Sequence, residues 1–226
     1  LAMWRYLRRH PQSASAIDSS PVDRQCIQTC ARETAEKRVH VRIVLSLLPL
    51  LTLAAASPSY RYQLDGANSR VSAKVAFMGV GSKTARFPAM KGHIRIQPDR
   101  LDAIDLEVEL DARSLDAGSK TDTQYLRGKA FFDVANHPTV NFSGSRMAMT
   151  GPTTARIEGQ LTARGMTRPT TLNVTFRDPP ARATGREPVQ LSVRTTINRR
   201  QFGMTSYGLV VGKNVKITIE ARLVPG

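Results

Sequence analysis

Residues able to do chemistry are sparse in this 226-residue chain, and most of them lack partners. Beyond residue 56 there are two histidines, His93 and His137. Neither has a second histidine at ligand spacing, and a zinc site needs three or four convergent donors. His137 has one seed for acid-base work, Asp133, within "TDTQYLRGKAFFDVANHPTVNF" at 121–142. No serine stands in a Gly-x-Ser-x-Gly elbow. "GVGSKT" at 79–84 has the outline of a phosphate loop, but Ser82 takes the place where glycine must precede Lys83, so a hairpin loop is the simpler reading. Asp105, Glu107, Glu109 and Asp111 alternate with Ile104, Leu106, Val108 and Leu110. That spacing puts all four carboxylates on one wet strand face, whereas a catalytic pair needs two carboxyls in unlike surroundings. No catalytic residue, metal site or cofactor is expected.

The elements that would hold a site begin after a leader. "IVLSLLPLLTLAAA" at 43–56 follows Lys37, Arg38, His40 and Arg42 and ends in small residues, the layout of a secretory signal peptide. It is shorter than the roughly 20 residues of a membrane span. Ala54 and Ala56 put the cut before Ser57. Residues 1–40 stand upstream as an extension, expected to be disordered or a spurious start ahead of Val41, with a genuine extended leader as the alternative. The expected organisation is therefore extension 1–40, signal peptide 41–56 and one domain at 57–226, exported to the periplasm. Cleavage removes both cysteines, Cys26 and Cys30. It leaves 25 Lys and Arg against 14 Asp and Glu, a net +11. Such a charge favours anionic partners and is compatible with transient contact at a membrane surface. The arginines are scattered rather than clustered, so no nucleic-acid partner is expected.

From Tyr60 the dominant period is two: Val71, Ala73, Val75, Phe77; Ile104 to Leu110; Leu172, Val174, Phe176; Leu191 to Ile197; Val215 to Leu223. This predicts about eight strands. Gly79 with Gly81, Pro98-Asp99, Gly151-Pro152, Gly165, Pro179-Pro180 and Gly212 through Asn214 read as turns. The fold class is all-β, a single antiparallel barrel with one short helix, because a run of hairpins gains from closing its edges; a sandwich is the alternative. The helix falls at 119–128, capped by Ser119 or Thr121, carrying Tyr125 and Leu126 and ended by Gly128. His137 precedes Pro138 and reads as the hinge into the strand of Val140 and Phe142. If Phe131 and Phe132 lie in extended chain they face opposite ways, one to the interior and one under the helix. An eight-stranded barrel either fills with side chains or holds one small ligand, and the pattern alone leaves both open.

Four blocks in order carry a resemblance: "YQLDGANSRVSAKVAFMGV" with Asp65, Ser69 and Phe77; "SLDAGSKTDTQYLRGKAFFDVANHPTVNFSGS"; "GQLTARGMTRPTTLNVTF"; and "INRRQFGMTSYGLVVGKNVKITIEARL". Over about Tyr60 to Leu223 the chain resembles the YceI-like family of bacterial periplasmic polyisoprenoid-binding proteins. The resemblance implies a lipocalin-like β-barrel whose apolar cavity takes a long isoprenoid or other amphiphilic lipid, without general catalytic activity. Met78-Gly79 and Ala117-Gly118 depart from the usual family steps and leave head group and chain length open. The expected wall is Phe77, Phe87, Leu126 and Phe131, with Phe132, Phe142, Phe176 and Phe202. Arg127, Arg168, Arg199 and Arg200 are candidates for an anionic head group. The expected role is a periplasmic binding or carrier protein. Its rivals are a partner-binding barrel associated with a membrane quinone or electron-transfer system, and a lipid-modifying enzyme using His137 and Asp133. The sequence does not specify an oligomeric state, and a homodimer is compatible with it.

Overall fold

The computed structural model describes residues 57–226; the expected extension at 1–40, the expected signal peptide at 41–56, and Cys26 and Cys30 lie outside the described residues. Ten strands form one antiparallel sheet: β1 (Tyr60–Leu64), β2 (Arg70–Phe77), β3 (Gly81–Arg86), β4 (Met90–Ile96), β5 (Ala103–Asp111), β6 (Thr139–Met149), β7 (Thr154–Ala163), β8 (Met166–Phe176), β9 (Val189–Asn198) and β10 (Val211–Pro225). Helix α1 (Lys120–Arg127) lies between β5 and β6. The sheet order is β1-β4-β5-β6-β7-β8-β9-β10-β2-β3, and β1 also pairs with β10, with Tyr62 opposite Pro225 and Leu64 opposite Leu223. Eight strands thus close a barrel, as the alternation predicts, while the β2–β3 hairpin extends one wall.

The extension follows from a break between β1 and β2. Both pair with the same edge of β10, β1 at its C-terminal end and β2 along Val211 to Glu220. At the break Asp65 starts the 3-10 turn Gly66–Asn68, its carboxylate accepting from Asn68 N (3.2 Å) and Nδ2 (2.8 Å). The same carboxylate accepts from Arg222 Nη1 at 3.0 Å, and Ser69 Oγ accepts from Arg222 N at 3.0 Å. Two side chains therefore pin the kink to β10. The Asn68 bonds and then the Arg222 guanidinium hold the Asp65 carboxyl below its ordinary pKa.

Strand β3 bonds β2 along its length, but among the described residues its other edge meets only one bridge, Arg86 to Asp116. Helix α1 reaches this edge through Lys83 Nζ and Asp122 Oδ2, 2.7 Å apart. The helix begins and ends as its sequence predicts: Ser119 Oγ accepts from Asp122 N, and Gly128 N donates to the carbonyls of Gln124 and Tyr125.

One turn signal is overturned. Gly212 to Asn214 lie inside β10, where Val211 faces Phe77 and Val215 faces Val75, so the extra residues form a bulge. A Cβ on Gly212 would stand 3.3 Å from Ala76 Cβ, tight enough to favour glycine. A bulge and a turn share the same glycine-rich signature, and only the register separates them. Glycine is also required where β6 meets β7: Gly144 pairs with Gly159, and a Cβ on Gly159 would lie 2.3 Å from Ser143 O and 2.5 Å from Phe142 Cζ. Phe142 thereby lies across the inside of the sheet.

The end of the barrel carrying the β5 N-terminus and the β8 C-terminus is packed shut. Tyr62, Ile94, Ile96 and Leu223 form one buried cluster there, and Phe176 is 2% exposed in the neighbouring one. Burial also raises the Tyr62 phenol pKa, although its Oη accepts from Gly185 N at 3.2 Å.

Candidate functional site: an apolar cavity with one open rim

Above the packed end lies a cavity of about 510 Å³, within the range of small-molecule sites. Its walls come from the inward rows of the strands: Val71, Ala73, Val75 and Phe77 on β2; Leu106, Val108 and Leu110 on β5; Ile217, Ile219, Ala221 and Leu223 on β10. Along β10 the inward row from Val215 to Ala221, all of it on the cavity, runs roughly 20 Å at about 3.3 Å per residue. Its exposed lining residues are Lys83 and Thr84 on β3, Tyr125 on α1, and Tyr207. These mark the mouth, between the β2–β3 hairpin, the helix and the loop before β10.

Of the expected wall, Phe77, Phe87, Leu126, Phe131, Phe132, Phe142 and Phe202 line this cavity. Both Phe131 and Phe132 do so, against the expectation that they diverge. They lie in a tight turn after α1 rather than in extended chain, with Phe131 N bonded to Gly128 O and Phe132 N to Leu126 O. Phe132 meets Phe87 edge-on at 5.7 Å between centroids, and Phe131 stacks on Tyr207 at 5.8 Å with the rings 2° apart. Phe176 is displaced from the expected wall: the alternation on β8 does turn it inward, but at the strand end opposite Leu191, where it packs in the closed end.

The four arginines separate. Arg199 alone lines the cavity, and it is 3% exposed. It opens the 3-10 turn Arg199–Phe202 after β9. Its guanidinium lies 5.8 Å from the centre of the Phe131 ring. Nε donates to Gly212 O (2.9 Å), Nη1 to Met204 O and to Ser206 O (2.9 Å), and Nη2 to Val211 O (2.8 Å). Four of five N–H groups are thus held by carbonyls, two of the mouth loop (Met204, Ser206) and two at the start of β10 (Val211, Gly212), leaving one on Nη2. Burial and then the Arg200 charge lower its pKa, yet an arginine stays protonated.

The other three stand off the cavity. Arg127 turns from α1 to the Leu115 carbonyl (2.7 Å from Nη2), because that buried loop needs a donor. Arg168 is exposed and donates to Thr167 O, lying beyond the inward row of β8. Arg200 is exposed beside Gly208. At the mouth Lys83 lies 5.3 Å from the Phe77 ring centre, and its bond to Asp122 lowers that carboxyl's pKa, with the Ser119 hydroxyl adding to the effect.

His137 forms the hinge into β6. Its N donates to Asp133 O at 2.8 Å, and its ring lies against Gly165 in the β7–β8 turn. Among the described residues no three His, Cys, Asp or Glu side chains group as metal ligands. Periodicity missed Tyr207 and Met204, because both sit in a loop, where no alternation marks a facing direction.

Residues 62–223 match the YceI-like domain. The chain belongs to the YceI-like family. A UPF0312 protein of Vibrio cholerae is 22% identical over 184 residues, 81% of this chain and 97% of that protein. One from Pseudomonas putida is 24% identical over 172 residues, 76% and 90% of the two chains. Among solved structures, Burkholderia cenocepacia BcnA superposes with a TM-score of 0.63 at 23% identity, over 70% of this chain and 98% of that one. A polyisoprenoid binding domain from Saccharophagus degradans, implicated in plant cell wall breakdown, superposes at 0.57 with 14% identity, over 73% and 98%. These likenesses establish the shared YceI-like barrel, and the blocks containing Asp65, Ser69 and Arg199 fall within the matched region.

Proposed function

We propose that this YceI-like protein is a periplasmic carrier that holds the chain of an isoprenoid or similar amphiphilic lipid in its barrel. One observation carries the reading: the cavity follows the inward rows of the barrel and is lined mainly by apolar side chains, interrupted on the walls by His93, Thr170 and Thr195, while the charged groups Lys83, Asp122 and the buried Arg199 stand at the mouth. Such a space suits a long apolar tail with a polar head at the rim. The polyisoprenoid binding domain of Saccharophagus degradans, which shares the fold, supports the ligand class. The leader at 41–56 supports export.

The energetics are sufficient. A C5 isoprenoid unit burying roughly 100 Å² contributes about 2.5 kcal/mol at ~25 cal/mol per Å². Three or four units exceed an association cost of several kcal/mol. The test is extraction of the purified protein with organic solvent and mass spectrometry of the extract, paired with uptake of a fluorescent prenol. A co-purifying lipid or saturable uptake is expected, and uptake is lost in Phe131→Asp and Phe132→Asp, each of which sets a charge in the wall. A protein that yields no lipid and takes up no prenol refutes the reading.

A further inference from the structure

The outside of the mouth carries features that ligand binding inside the barrel does not use. Val80 is 96% exposed and Leu209 104%, with Met78 at 61% and Tyr207 at 51%. They stand on two adjoining loops, tied by the bond from Met78 N to Val210 O at 2.7 Å. A soluble barrel gains nothing from four large apolar side chains raised into water at one rim. Met78 and Tyr207 also take positive φ, 51° and 59°, uncommon for residues other than glycine.

Charge is distributed unevenly around the same rim. The segments 66–98 and 188–219, which supply β2, β3, β4, β9 and most of β10, contain no Asp or Glu, yet hold eleven of the 25 Lys and Arg beyond residue 56, of which Lys83 and Lys91 bond Asp122 and Glu109 from other elements. On the outer face Lys74 and Lys216 stand directly opposite one another across β2 and β10, with uncharged Thr84 and Thr196 as their other neighbours. Like charges paired across strands are destabilising. Lys213 is exposed on the bulge of β10, and Arg200 is exposed beside the rim loop at Gly208. The acidic face of β5 meets β4, where Glu109 bonds Lys91 at 3.1 Å and Glu107 faces His93, away from β2 and β10 in the sheet order.

We propose that this rim docks on a lipid bilayer containing anionic lipid. Val80, Leu209, Met78 and Tyr207 enter the interface while Lys74, Lys213, Lys216 and Arg200 meet the head groups. An exposed apolar tip flanked by cations is complementary to such a bilayer in both respects, the one carboxylate among the described cavity-lining residues, Asp122, being bonded to Lys83. A protein partner would have to supply an acidic surface around an apolar socket, and a second copy of this chain would set the two basic faces against each other. Because Tyr207 belongs both to the docking tip and to the mouth, the bilayer would meet the cavity opening directly.

The test is flotation of the mature protein, residues 57–226, with vesicles of phosphatidylcholine alone and of phosphatidylcholine mixed with phosphatidylglycerol. Binding is expected on the mixed vesicles only, weakening as salt rises. Lys74→Gln with Lys216→Gln is expected to lower partitioning roughly 25-fold, at about fivefold per cation. Val80→Ser with Leu209→Ser is expected to lower it by more than about tenfold. Neither pair lines the cavity, so both variants are expected to take up detergent-dispersed prenol as the wild type does. Docking is overturned if the wild type floats with neither vesicle, if both variants float like the wild type, or if the Ser pair changes only self-association in light scattering. Flotation without prenol uptake would refute the carrier reading and leave docking standing.

Discussion

Replacing Arg199 by Met separates a structural role for this cation from a role in ligand recognition. The side chain is 3% exposed and its guanidinium holds carbonyls at Met204, Ser206, Val211 and Gly212, so one residue ties down the loop that forms the mouth. Met fills similar volume but donates nothing. Met204 is buried, and orphaning its carbonyl costs about 1–3 kcal/mol. The other three acceptors belong to partly exposed residues that water reaches, at about 0.5–1 kcal/mol each. Relief from burying an arginine that no carboxylate pairs offsets part of the sum. The expected net loss is about 3 kcal/mol, a large fraction of a typical 5–15 kcal/mol. For a domain of this size that lowers Tm by roughly 6–12 °C. Arg199→Lys is expected to recover less than half of the loss, since an ammonium cannot span carbonyls that a planar fork spans. Thermal unfolding by circular dichroism reads both variants. If Arg199→Met melts within about 2 °C of wild type and instead loses affinity for anionic amphiphiles alone, the loop-tethering argument is wrong.

Three further substitutions test other parts of the structure. Phe176→Ala is expected to cost about 3–5 kcal/mol in denaturant unfolding while prenol uptake by the folded fraction stays unchanged, because Phe176 packs in the closed end and not on the cavity; a loss of uptake without a loss of stability would contradict that placement. Gly159→Ala is expected to destabilise by about 1–3 kcal/mol, since its Cβ meets the Ser143 carbonyl and the Phe142 ring, and a neutral result would mean that β6 and β7 adjust freely. Asp65 has a folded pKa below its unfolded value of about 3.9. Its contribution is therefore complete above about pH 4 and lost as pH falls through the folded value. Asp65→Asn is expected to melt lower than wild type at neutral pH and to show a flatter decline in Tm on acidification; parallel curves would remove Asp65 from the acid response.

Much of the architecture was legible because alternation is a local signal. The period of two in β5, β8 and β10 follows from the pleat, and the cap at Ser119 and the stop at Gly128 each depend on a few neighbouring residues. The family blocks carry the same information, since they contain the kink at Asp65 and Ser69, the turn with Phe131 and Phe132, and the loop tied by Arg199. Alternation does not register depth along the barrel. Leu172, Val174 and Phe176 share one inward row of β8, yet the first two line the cavity and the third packs in the closed end.

The amino-acid sequence by itself determined about eight antiparallel strands and one short helix, because facing direction is a property of neighbours along the chain, and it favoured a barrel over a sandwich; the pairing of β1 with β10 closed it. Only the tertiary structure decided that Gly212 to Asn214 make a bulge, that Phe131 and Phe132 face one space, and that one arginine in four reaches it. Each of these depends on where a distant strand or loop lies: Ala76 against Gly212, Tyr207 against Phe131, and the carbonyls of 204–212 around Arg199. The cavity exists for the same reason, since space inside a barrel is what remains after side chains from all of its strands have been placed.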